Sequence, residues 1–154
     1  MVQDGNTNLM LFSPDQIIAF VSQYFWPESV PMADLAFILG RKHNTTVITA
    51  FPNHPTGKIY EGYKLSLFQK EEKERVKIYR FLTYPYKGYN KLKRLLNYTV
   101  FPFIASIFSP FLISKFDVIF AIQGSPIMGV IPGNILKFIY KKPLVIWIQD
   151  IYTQ

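Results

Sequence analysis

The sequence predicts an α/β fold built on a parallel, doubly wound, Rossmann-like sheet, and three observations predict it. Short β-branched or apolar runs recur along the chain, helical segments lie between them, and prolines and glycines gather at the junctions. Ile17 to Gln23 (IIAFVSQ) is a continuous apolar run ending in polar residues, as a strand buried on both faces would be. Ser29 to Lys42 reads as a helix: Pro31 suits its first turn, Leu35, Ala36, Ile38 and Leu39 its apolar face, and Arg41 and Lys42 its C-terminus. Thr45 to Ala50 is the second strand, and Val76 to Phe81 (VKIYRF) alternates as a third with one wetter face. Asn90 to Lys115 is helical apart from its prolines. Asp117 to Ile122 and Leu144 to Ile148 are short buried strands. Between them a helix starts at Ser125 and Pro126, runs toward Lys141 and Lys142, and bends near Pro132. The first 16 residues, MVQDGNTNLMLFSPDQ, have no basic start and are broken by Asp4, Gly5 and Pro14. They read as a poorly ordered lead-in to a domain over 17–154, and not as a secretory signal.

At 154 residues the chain is long enough for one domain with a proper core. Cysteine is absent, which excludes a disulfide scaffold, a thiolate zinc site and a cysteine nucleophile, and fits a reducing compartment. The net charge of +7 is local: Lys64 to Arg94 holds ten basic residues and three acids, so the rest of the chain sums to zero. Directly after it, Leu95 to Ser114 carries no charge. A basic stripe abutting an apolar run is the pattern of an interfacial membrane segment, whereas nucleic-acid binders interleave basic and aromatic residues on a polar face. An anionic membrane surface is therefore the expected partner and nucleic acid is not. The expected membrane-facing residues are Lys91, Lys93, Arg94, Phe101 and Phe103. The stretch matches a spanning helix in length, but Asn97, Thr99, Pro102, Ser106, Ser109 and Pro110 argue for a kinked helix, partly buried and partly at the surface. Two core helices joined near Pro110 are the competing reading.

In a parallel sheet, ligands gather at the carboxyl ends of the strands. Tyr24–Glu28, Phe51–Tyr63, Gln123–Pro126 and Gln149–Tyr152 fall there. The second of these, FPNHPTGKIYEGY, is long for a connector and rich in groups that donate hydrogen bonds and stack. His54 on this loop is placed to touch a ligand, while His43 sits at a helix–strand junction and reads as a surface residue. Lys58 either pairs with a phosphate or is solvated. Tyr60 and Tyr63 either stack on a sugar ring or pin the loop to the core. Asp150 is a ligand group or a helix N-cap, Glu28 reads as a first-turn helix acid, and Ser125 binds an anion or simply caps. There is no GxGxxG after the first strand, no phosphate-binding GxxxxGK[ST], no Asp-x-Asp pair and no metal-ligand spacing of histidines. Neither a metal nor a cofactor is expected.

The stretches VSQYFWPE, ADLAFILGRKHNTTVITAFPNHPTGKIYEGY, RLLNYTVF, DVIFAIQGSP and PLVIWIQDIY together resemble the N-terminal half of bacterial family 4 glycosyltransferases, most closely those that build O-antigen, capsule and colanic-acid repeat units. The resemblance covers Ile17 to Tyr152. It implies the first of two Rossmann-like domains of a GT-B fold, with the acceptor, commonly a sugar on a polyprenyl diphosphate, held on this half. The nucleotide-sugar would be held on the other domain, and transfer would retain configuration without a required metal. By the same resemblance the acceptor cleft would include Pro27, Glu28, Asn53, His54, Lys58, Tyr60, Ser125 and Asp150, with His54 the only base on this half.

Family members are about twice as long, and the donor domain with its Glu-x7-Glu motif has no counterpart here. The sheet is thus expected to be incomplete at its C-terminus, with an exposed edge. Three readings follow from the resemblance. The chain is a truncated acceptor half, inactive alone; or the anchoring subunit of a split enzyme whose donor domain is a separate chain; or a non-catalytic membrane-surface module. The expected location is the inner face of the cell membrane, peripheral and cytoplasmic.

Overall fold

The computed structural model describes residues 16–123 and 127–149. The lead-in expected before Ile17 and the assignments to Ser125 and Asp150 lie outside these residues, apart from Gln16. The chain runs β1 (Ile17–Val21), α1 (Pro31–Gly40), β2 (Asn44–Ala50), β3 (Phe68–Lys73), β4 (Val76–Phe81), α2 (Lys91–Leu112), β5 (Val118–Gln123), a 3-10 turn (Ile127–Val130), α3 (Ile131–Tyr140) and β6 (Leu144–Ile148). The strands form one six-stranded sheet in the order β3-β4-β2-β1-β5-β6. Every neighbouring pair is parallel except β3 and β4.

Strand alternation divides the core into two layers. Ala19 and Val21 of β1, Ile48 of β2 and Ile119 and Ala121 of β5 face α2 and α3, where they meet Phe101, Ala105, Val130 and Leu136. Ile18, Phe20, Val47, Ile78 and Val118 face the other way, onto Met32, Ala33, Ala36 and Phe37 of α1. The fold is therefore α/β with a mostly parallel sheet and helices on both faces.

Four features differ from the sequence expectation. The first is β3, which pairs antiparallel with β4 across a turn in which Glu74 and Arg75 both take positive φ, 49° and 68°. Tight hairpin turns of this hand ordinarily advertise themselves as Asn-Gly or Asp-Gly, so a Glu-Arg turn carries no visible signal. The second is α2, which runs through Pro102 and Pro110 as one helix. Both prolines are buried, so packing offsets the backbone hydrogen bonds they forgo. The third is Pro132, which does not bend a long helix: it sits in the first turn of α3, after a separate 3-10 turn. The fourth is β6, whose Val145, Ile146, Trp147 and Ile148 are all exposed where a buried strand was expected. It is the outermost strand, and its inter-strand packing reduces to contacts such as Trp147 edge-on to Phe120, ring centroids 6.4 Å apart.

Candidate functional site at the carboxyl end of the sheet

Because β1, β2 and β4 are parallel, the chain leaves all three at the same end of the sheet, and the exits surround a cavity of about 720 Å³. Tyr24 comes from the exit of β1, Asn53, His54, Pro55 and Gly57 from that of β2, and Tyr86 to Tyr89 from that of β4. Arg94, Asn97 and Tyr98, on the first two turns of α2, close the remaining wall.

The β2 exit is held from below by two buried charges. Glu28 is no first-turn helix acid, since α1 begins only at Pro31. Its carboxylate is buried and accepts three backbone N–H groups: Phe25 at 2.9 Å, Asn53 at 2.7 Å and His54 at 2.7 Å. It thereby ties the exits of β1 and β2 together. Burial pushes its carboxyl above the usual range, and the three N–H donors pull it back. Arg80, fully buried on β4, donates from Nε to Glu71 at 2.6 Å and from Nη2 to the Trp26 carbonyl at 2.6 Å. It also reaches the Ala50 carbonyl at 3.4 Å and lies 4.9 Å from the Tyr63 ring centroid. Tyr63 is thus one of the groups that pin the loop. Tyr60 is another, donating its hydroxyl to the His54 carbonyl at 2.7 Å.

The β4 exit is held differently. Asn97, buried on α2, donates its side-chain amide to the Tyr84 carbonyl at 2.7 Å, and the Asn97 backbone carbonyl accepts from the Gln23 side chain at 3.2 Å. Asn90 caps α2 by accepting the Lys93 N–H at 3.0 Å, while its own N–H donates to the Tyr86 hydroxyl at 3.1 Å. The two exits touch at Gly57, which has φ of +71°. A Cβ there would stand 2.6 Å from the Lys87 backbone nitrogen, so only glycine permits this approach.

The lining itself is aromatic and cationic. The exposed His54 ring rests on Tyr24, centroids 4.8 Å apart. Burial, then the nearby Glu28 charge and Tyr98, push the Tyr24 phenol up to about 12, so it remains a neutral donor at physiological pH. Arg94 donates to the Tyr98 hydroxyl at 3.2 Å, which raises the guanidinium above its ordinary value. Lys87 lines the cavity as well, and among the described residues no carboxylate does. Among the described residues no group of three His, Asp or Glu side chains is placed to hold a metal ion.

Of the residues singled out from the sequence, Asn53, His54 and Arg94 come together at this cavity. Pro27, Glu28, Lys58 and Tyr60 do not line it. Lys58 is exposed, with its N–H on the Thr56 hydroxyl at 3.2 Å. Lys91, Lys93 and Phe103 are exposed on α2, but Phe101 corrects the membrane-facing assignment, being fully buried against the sheet. Asn97, Phe101, Ala105 and Ser109 recur every fourth residue along the inward face of α2, and Phe103 lies on the outward one. Sequence reasoning missed Tyr86, Tyr89, Asn97 and Tyr98 as lining groups. The signal available was TYPYKGYN, which like the β2 exit combines proline, glycine and tyrosine and likewise follows a parallel strand.

Compared with known proteins, the chain matches no family model and is similar to no curated protein.

Proposed function

We propose that this chain is the acceptor-binding half of a retaining glycosyltransferase of GT-B architecture. It takes a lipid-linked glycan in the cavity and meets a nucleotide-sugar only through a donor-binding domain or chain placed opposite. The observation that carries this reading is the lining: tyrosines and a histidine with Lys87 and Arg94, and no carboxylate among the described residues. Aromatic rings cover the apolar faces of a sugar, and the two cations complement a diphosphate. His54, exposed on the rim, is the group placed to take the proton of an attacking sugar hydroxyl. Holding an acceptor is half of the positioning that transfer requires, so the chain alone binds without transferring. On this reading it works at the cytoplasmic face of the cell membrane.

The test is equilibrium binding of a short-chain, water-soluble prenyl-diphosphate sugar to the full chain. Binding is expected, with Arg94→Ala weakening it by about tenfold or more, or ~1.4 kcal/mol. No binding, or equal binding by Arg94→Ala, would overturn the assignment. Radiolabelled transfer from a panel of nucleotide-sugars then separates the two halves of the proposal. Transfer by the chain alone would remove the need for a separate donor site.

A further inference from the structure

The two helical layers of the fold differ in what they show to solvent. On α1 the exposed side carries Asp34 and Ile38, and Arg41, just beyond its end, stands 4.0 Å from Glu74. On the other side, neither α2 nor α3 contains an acidic residue. Lys91, Lys93 and Arg94 open α2, and Lys137 and Lys141 stand at the end of α3. Between these cations lies apolar surface that the core does not cover. Leu92 is 66 % exposed, Phe103 65 %, Phe111 84 % and Phe138 83 %. Leu92, Leu96, Phe103, Ile107 and Phe111 follow helical spacing along one face of α2, opposite the Phe101 and Ala105 face packed on the sheet. The Tyr140 hydroxyl donates to the Pro110 carbonyl at 2.6 Å, which brings the ends of α2 and α3 together, and the exposed Phe111 and Phe138 lie near those ends.

We propose that the outer face of the α2–α3 layer docks on an anionic phospholipid bilayer, with α2 lying in the plane of the interface. α2 is long and apolar enough to cross a membrane, but one side of it forms part of the core. Only its outer stripe, spread over a helix about 33 Å long, is free to enter lipid. Basic residues at both ends without an intervening carboxylate select an anionic surface, and the bulky apolar side chains between them insert. The cavity opens beside the first turn of α2, so a docked chain holds Arg94 near the headgroups. The inference does not depend on what the cavity binds.

The experiment is flotation of the full chain with phosphatidylcholine vesicles, with and without phosphatidylglycerol, neither containing glycolipid. Binding is expected to the anionic vesicles, at least tenfold weaker on the neutral ones, and reduced by high salt. The pair Phe111→Ser and Phe138→Ser should abolish it, Lys91→Glu with Lys137→Glu should weaken it severalfold, and Ile38→Ser on α1 should leave it unchanged. Circular dichroism melts confirm that each variant folds. Equal binding to neutral vesicles, retention by the double serine variant, or equal loss in Ile38→Ser would overturn the proposal. So would sedimentation showing a dimer that the serine pair dissociates, because a second copy would then be the occupant of this face.

Discussion

The exits of β2 and β4 meet over the same cavity, yet they are anchored by different chemistry. The β2 exit stands on buried ionisable groups, Glu28 beneath Asn53 and His54 and Arg80 beneath Trp26 and Ala50. The β4 exit stands on neutral amides and a helix cap, Asn97 on Tyr84 and Asn90 on Lys93. A buried charge costs far more to leave unpartnered than a buried amide does. The loop bearing His54 is accordingly the more strictly positioned of the two, and the wall bearing Lys87 and Tyr89 the more tolerant.

The strongest way to break this contrast is Arg80→Met. It removes the fully buried cation and strands the Trp26 and Ala50 carbonyls, at an expected loss of about 3 kcal/mol, read as a lowered denaturant midpoint. Glu28→Gln keeps the shape but presents an amide to N–H groups that all require acceptors. A loss of about 2 kcal/mol is expected, together with weaker binding of the proposed acceptor because His54 loses its support. Asn97→Ala, on the neutral side, should cost about 1 kcal/mol. If it proves as damaging as Arg80→Met in the same denaturation series, the distinction between charged and neutral anchoring is wrong.

The contrast is sharpened by pH. Burial makes Glu28 hold its proton in the folded chain more tightly than an ordinary glutamate does, so this contribution is full below the ordinary glutamate value and declines as pH rises through the folded-state ionisation. Asp117, at the opposite end of the sheet, behaves in the reverse sense. The Ile17 N–H at 3.0 Å and the Lys142 ammonium at 3.3 Å hold it below the ordinary value for an aspartate. Its contribution is full above that value and is lost as pH falls through the folded-state ionisation. Asp117→Asn should therefore flatten the acid limb of the stability profile while leaving binding of the proposed acceptor untouched. It is the smallest of the expected effects, and a loss of binding in this variant would show that the site extends beyond the strand exits.

The β2 exit was legible from FPNHPTGKIYEGY, because prolines, a glycine and hydrogen-bonding aromatics after a strand have few structural uses together. Its supports were not. Glu28 lies 25 residues before Asn53, and Arg80, although it shares the inward face of β4 with Val76 and Ile78, has the residue type least expected to be interior. Tyr86 and Tyr89 were visible as residues but not as a site, because Gly57 decides that the two exits touch.

By itself the sequence determined the order of the parallel strands and the helices between them, though not β3, since apolar period and turn chemistry are local properties that survive without knowledge of the partner. It also determined where charge is concentrated and which loop carries unusual side chains. Only the tertiary structure decided that β3 closes one edge antiparallel, that β6 is exposed, that Phe101 is core while Phe103 is surface, and that Glu28 and Arg80 work from beneath the site. Each of these depends on which distant residue arrives alongside, and a carboxylate or a phenylalanine is equally at home in water-facing and interior roles until its neighbours supply donors or close packing.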